Sequence, residues 1–82
     1  MDAPALQEVV RRAIQRGALP AQDPISAWGR WSAGAVCAAC GKTIATDTAE
    51  IGLEFLIGGQ RVVSQLHPRC WLAWEDVRAG MA

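Results

Sequence analysis

Apolar residues recur with the period of an α-helix at the start of the chain. They occupy positions i, i+3, i+4, i+7 and i+8, namely Leu6, Val9, Val10, Ala13 and Ile14. This spacing places them on one stripe of an amphipathic helix. Pro4 suits the first turn of such a helix, and Gly17 suits its end. We therefore predict an N-terminal helix within residues 1–17.

Residues 18–36 show neither helical nor strand periodicity. Prolines and glycines interrupt the segment, and Trp28 and Trp31 are its aromatic residues. The pattern predicts a long connection without regular structure. Because such connections are uncommon inside compact domains, we expect the two tryptophans either to pin this one across the core or to form a surface for a partner. Of the two, pinning is the interpretation we favour.

Residues 51–66 predict a β-hairpin. Two runs of apolar and β-branched residues flank Gly58 and Gly59, which supply the positive φ angles of a two-residue turn. This turn pairs Ile57 with Gln60, Phe55 with Val62, Leu53 with Ser64 and Ile51 with Leu66. One face then collects the apolar residues Ile51, Leu53, Phe55, Ile57, Val62 and Leu66. An isolated hairpin is marginally stable in water, so another element must cover this face.

A second helix of about twelve residues is predicted directly after the hairpin. Pro68 suits its first position and Gly80 its exit. Its apolar stripe contains Trp71, Trp74 and Val77. We expect this helix to pack on the apolar face of the hairpin and to bury both tryptophans in the core.

Composition and charge exclude several classes of protein. The 82 residues are 51% hydrophobic and 20% charged, which is unlike a disordered chain. Eight Lys and Arg balance eight Asp and Glu, so no net charge attracts the chain to nucleic acid or to an anionic membrane. No apolar run reaches the roughly 18–20 residues of a membrane span. The odd count of three cysteines favours a reducing compartment, so we expect a cytoplasmic protein.

The candidate chemistry lies in two pairs of residues with equal spacing. Cys37-x2-Cys40 and His67-x2-Cys70 contain every cysteine and the single histidine of the chain. A tight turn opened by Gly41 would direct both sulfurs of the first pair to one side, and the second pair would lie where the hairpin meets the helix. Three thiolates and an imidazole suit one tetrahedral Zn²⁺ with no open coordination position. The four residues are therefore predicted to bind a structural zinc ion.

Two alternatives do not involve a metal. Cys37 and Cys40 could be a redox-active pair of the thioredoxin type, which requires a helix to open at the pair. Alternatively, Cys70 could be an inert buried cysteine and His67 a helix cap.

The chain has a tight turn with the first ligand pair, which we call the knuckle, then a hairpin, then a helix with the second ligand pair. This order of elements resembles that of the treble-clef zinc fingers. Cys37-x2-Cys40 and His67-x2-Cys70 with the following Trp71 are similar to the first half of LIM domains and to the fingers of poly(ADP-ribose) polymerases. A wider pattern looks like a group of small bacterial proteins; it consists of residues 17–20, Trp28, Gly34, Cys37-x2-Cys40-x3-Ile44 and His67-x2-Cys70-x3-Trp74. The resemblance implies a fold and a metal and carries no activity.

Together these patterns predict a single α+β domain over residues 1–82. Its order is an N-terminal helix in 1–17, a connection in 18–36, and a zinc-binding core in 37–82 that holds the knuckle, the hairpin and the C-terminal helix.

Three classes of function can be considered for such a chain. The first is a zinc-stabilised module that binds another protein, for which the four tryptophans are suitable contact residues. The second is a zinc finger that binds nucleic acid through the basic face of the N-terminal helix, which carries Arg11, Arg12 and Arg16. Arg30 and Trp31 could add a phosphate contact beside a stacking surface. The third, an enzyme, is not expected, because the metal would occupy His67 and the cysteines, and the carboxylates show no paired arrangement in the sequence.

Overall fold

The computed structural model describes residues 2–81 of the chain. The elements are α1 (Ala3–Gln15), β1 (Ser26–Trp31), β2 (Ala49–Ile57), β3 (Gln60–Leu66) and α2 (Pro68–Gly80). The three strands form an antiparallel sheet in the order β1-β2-β3. Helix α2 packs against β2, β3 and α1. The predicted α+β class is confirmed.

Helix α1 begins and ends where its sequence indicates. Asp2 caps the N-terminus by accepting a hydrogen bond from the backbone N–H of Ala5 at 2.9 Å. After the helix, Gly17 adopts a φ of 77°, which favours glycine. Val10 and Ala13 are fully buried, so the predicted apolar stripe faces the core.

The hairpin has the predicted register. Gly58 and Gly59 form the turn with positive φ angles, and Ile57 pairs with Gln60 while Ile51 pairs with Leu66. The predicted apolar face is buried at Leu53, Phe55 and Leu66. Near the turn the prediction of burial is wrong, since Ile57 and Val62 are 41% and 37% exposed. Helix α2 covers the part of the hairpin far from the turn and leaves the turn end open.

Helix α2 occupies the predicted range and supplies much of the core. Trp74 is fully buried and meets the ring of Phe55 edge-on, with centroids 6.1 Å apart. The indole N–H of Trp74 donates to the carbonyl of Pro20 at 2.8 Å. Arg78 lies over the Trp74 ring and forms an ion pair with Asp23 at 2.7 Å. These contacts attach the segment before β1 to α2. Trp71, also predicted in the core, is half-buried at the edge of the cluster.

The prediction of an unstructured connection over residues 18–36 is wrong. Strand β1 lies inside it and pairs with β2, Trp28 standing opposite Gly52. The predicted pinning by two tryptophans also fails, because Trp31 is 74% exposed. Trp28 lies on the sheet so closely that a side chain at position 52 would overlap its indole.

The sequence of strand β1 does not alternate between polar and apolar residues, and there is a physical reason for this. It is an edge strand whose residues are exposed except for the half-buried Trp28. Alternation of polar and apolar residues develops where one face of a strand is buried, and β1 has no such face.

Candidate metal centre

The first ligand pair lies on a short knuckle between β1 and β2. Val36 and Thr43 form an isolated antiparallel bridge around it. Inside the bridge, the N–H of Cys37 donates to the Lys42 carbonyl, and the N–H of Gly41 donates to the Cys37 carbonyl, both at 2.9 Å. Gly41 has a φ of 75°, which lets the chain turn this tightly. The turn places Cys37 and Cys40 side by side, as predicted.

The second pair opens helix α2. His67 occupies the N-cap position, and its carbonyl accepts a hydrogen bond from the Trp71 N–H at 2.9 Å. Its imidazole caps no backbone N–H of the helix. Cys70 follows within the first turn and is 3% exposed. The side chain of His67 is thus available to the cluster, which removes the alternative of a histidine cap.

A backbone contact brings the two pairs together. The N–H of Ala38, within the knuckle, donates to the carbonyl of Gln65 at 2.8 Å. Gln65 lies near the end of β3, two residues before His67. Ile44, just after the knuckle, is fully buried and anchors it to the core. The knuckle is therefore fixed against the strand that leads into the second pair.

The four predicted ligands converge. One ligand atom from each of Cys37, Cys40, His67 and Cys70 lies within 4.8 Å of the others. The Nδ1 atom of His67 is 3.4 Å from Cys40 Sγ and 4.0 Å from Cys70 Sγ. Around a tetrahedral ion with bonds of about 2.0–2.3 Å, ligand atoms stand roughly 3.5–3.8 Å apart. The group can hold one metal ion with small side-chain adjustments.

The cluster is buried on one side and reaches the surface on the other. Cys37 and Cys70 are buried, whereas Cys40 and His67 are half-buried. Cys40, His67 and Cys70 border a surface cavity of about 260 Å³, which Lys42 also lines. The inner thiols are thus shielded from solvent, and the outer ligands remain next to it.

The proton positions in the cluster follow from its geometry. Cys70 donates a hydrogen bond to Cys37 and lowers the pKa of Cys37 to about 4, against the effect of burial; backbone amides add to the lowering. The same hydrogen bond raises the pKa of Cys70, and burial and the negative charge of Cys37 raise it further. Without a metal, the hydrogen bond between the two thiols thus favours a thiolate on Cys37 and a proton on Cys70.

The thioredoxin-type alternative lacks its structural context. Such a pair opens a helix after a strand, whereas within residues 2–81 no α-helix lies between α1 and α2. None of the three cysteines forms a disulfide. They form one cluster with His67 instead of a separate redox pair.

Comparisons with protein-family models, with curated proteins and with solved structures gave no match. The treble-clef resemblance therefore rests on the ligand spacing and the element order. Within residues 2–81, no helix has the length and apolar character needed to cross a bilayer.

The basic face predicted for nucleic acid is partly engaged with other groups of the chain. Arg11 and Arg12 both lie near Glu8, at 3.7 Å and 3.2 Å. Arg16 donates to the carbonyl of Ala39 at 3.4 Å. Arg30, far along the chain, lies 3.5 Å from Glu50. Nucleic-acid binding through these residues stays a prediction.

The burial of Glu50 has no signal in the sequence. This carboxylate is fully buried, and its Oε1 accepts a hydrogen bond from the N–H of Ala33 at 3.2 Å. Its partner Arg30 stands opposite it on β1. The pair could be found only by recognising β1 as a strand, since 19 residues separate the two positions in the chain.

Proposed function

We propose that the chain is a small protein with one structural zinc ion, and that it acts as a protein-interaction module. The observation that carries the proposal is the convergence of three sulfurs and one imidazole nitrogen within 4.8 Å. Soft and borderline donors without a carboxylate are the set that Zn²⁺ prefers in closed tetrahedral sites.

The surroundings of the cluster suit this ion. Three thiolates and a neutral imidazole around Zn²⁺ leave one negative charge. The N-terminus of α2, where His67 and Cys70 lie, carries the partial positive charge of the helix dipole and favours an anionic centre. Lys42 lines the adjoining cavity and adds a cation nearby.

The proposed role of the ion is structural and not catalytic. It would join the knuckle, β3 and the start of α2 at one point. A chain of 82 residues has a small core, for which such a link is a large share of the stability. With His67 and the cysteines committed as ligands, no side chain of a type that ordinarily titrates near neutrality remains, so we propose no enzymatic activity.

The interaction role is supported by the surface of β1. Trp31 exposes 74% of its surface on this edge strand. An exposed tryptophan leaves a large apolar surface in contact with water, which is unfavourable in the unbound protein. Tryptophan is also enriched where proteins bind one another.

Affinity capture with the zinc-loaded protein tests this role. Partners should be lost with Trp31→Ala and kept with Leu72→Ala, a matched control that removes another exposed apolar side chain from α2. Circular dichroism and metal content of both variants establish that they remain folded and loaded. Equal capture by both variants would refute the assignment of Trp31.

A further inference from the structure

Strand β1 leaves one edge of the sheet open. It pairs with β2 on one side only, because it is the outer strand of the order β1-β2-β3. The N–H of Ser32 donates at 2.9 Å to the carbonyl of Thr48, which continues the β1–β2 register. Since hydrogen-bonded positions alternate in an antiparallel pair, the residues Ala27, Gly29 and Trp31 turn their backbone groups away from β2.

This edge lacks the usual protection against pairing. Natural edge strands are blocked by proline, by lysine, by a bulge or by a covering segment. Strand β1 contains no proline or lysine. Its one charged residue, Arg30, is drawn toward Glu50. Ala27, Gly29 and Trp31 are all exposed, so their backbone groups are open to another strand.

We propose that the β1 edge pairs with the β1 edge of a second copy of this chain, in an antiparallel register centred on Gly29. The inference rests on the proposed interaction module and names its partner. In this register Gly29 stands opposite Gly29 of the second copy, and Ala27 stands opposite Trp31. Each of these pairs exchanges two hydrogen bonds. All outward N–H and C=O groups of both strands are then satisfied.

The side chains are self-complementary in the same register. Successive residues of a strand face opposite sides, so Ala27, Gly29 and Trp31 share one side of the extended sheet. The large indole of Trp31 therefore lies over the smallest side chains of the other copy. This arrangement buries an indole that is 74% exposed in the single chain.

The other side of the extended sheet avoids a clash of charges. Arg30 stands opposite Trp28 of the second copy, and its guanidinium is turned toward Glu50 of its own chain, away from the new strand pair. The two arginines do not face each other directly. A register shifted by two residues would move Trp31 off Ala27 and leave outward backbone groups unpaired. The pairing of large with small residues is what favours a second copy over an unrelated extended peptide.

Sedimentation equilibrium over a range of concentrations, up to about 1 mM, tests the proposal. The zinc-loaded protein should form dimers. Gly29→Pro should weaken dimerisation at least tenfold, because the N–H that it removes points outward and the β1–β2 hydrogen bonds are kept. Trp31→Ala should weaken it as well, whereas Leu72→Ala on α2 should not.

Two results would overturn the inference. One is a monomer at every concentration, and the other is a dimer that both Gly29→Pro and Trp31→Ala leave unchanged. Should Gly29→Pro fail to fold, Trp31→Ala still decides the outcome. Metal content measured on the same samples separates the two proposals: a zinc-loaded monomer removes the dimer alone, while a folded, metal-free chain removes the proposed zinc site.

Discussion

The two outer strands of the sheet have opposite surroundings. Beside β3, the knuckle docks through the Ala38–Gln65 hydrogen bond, and the strand leads into His67 and the four-residue cluster. Beside β1, the backbone groups face away from the sheet and Trp31 is 74% exposed. The contrast is between an outer strand that carries the candidate metal cluster and an outer strand whose edge is open.

Loss of a ligand beside β3 is expected to have the largest effect. Cys40→Ser, or a strong chelator, should unfold the chain cooperatively. Apparent binding free energies of structural zinc are on the order of 10 kcal/mol, comparable with the whole stability of a small domain. Thermal melting, monitored by circular dichroism, measures the loss of stability. Thr43→Ala, which changes an exposed side chain of the same knuckle, is the control and should melt like the parent protein. Strand and helix signals that survive metal removal would refute the expectation.

Two tryptophans make the contrast quantitative. Trp74→Ala should destabilise the fold by about 3–5 kcal/mol, because it empties a fully buried site next to Phe55. Trp31→Ala on β1 should change the stability of the single chain by less than about 0.5 kcal/mol. Chemical denaturation at a concentration low enough to keep the protein monomeric compares them. Similar losses for both variants would mean that the β1 side also contributes to the core.

Metal affinity should fall as the pH falls. The Cys70 thiol is protonated at neutral pH in the unfolded metal-free chain, where its pKa is ordinary, and the fold raises its pKa further, so the ion must displace this proton. In the folded cluster the pKa of Cys37 is lowered to about 4, so this thiol is ionised there at neutral pH. Affinity should drop at least about tenfold per pH unit between about pH 7.5 and pH 5.5. Competition with a chromophoric chelator measures it, and a pH-independent affinity would show that Cys70 is not a ligand.

A glycine of β2 that stands opposite β1 should give a smaller effect than the loss of Trp74. Gly52→Ala should cost about 1–3 kcal/mol, because the new methyl group would overlap the indole of Trp28. In the Trp28→Ala background the same substitution should cost much less. A double-mutant cycle by chemical denaturation provides this comparison. Additive effects would show that Trp28 does not lie on Gly52 in solution.

The hairpin, the ligand pairs and the start of α2 could be predicted because the sequence signals for each of them are local. The pair Gly58 and Gly59 determines the hairpin register, and Pro68 marks the first position of α2. The ligand pairs share a spacing that a tight turn and a helix start both produce. Each of these features is specified by residues a few positions apart in the sequence.

The β1 side could not be predicted because its determinants lie far apart in the sequence. Trp28 packs on Gly52, 24 residues later, and Arg30 forms an ion pair with Glu50. Neither pairing leaves a periodic pattern in an exposed edge strand. The exposure of Ile57 and Val62 was missed for a related reason, since the extent of the cover by α2 depends on tertiary packing.

Metal content tests the central claim most directly. Native mass spectrometry on protein purified without added zinc should find one zinc ion per chain, and the ion should be absent from Cys40→Ser. A native chain that is folded and free of metal would contradict the account.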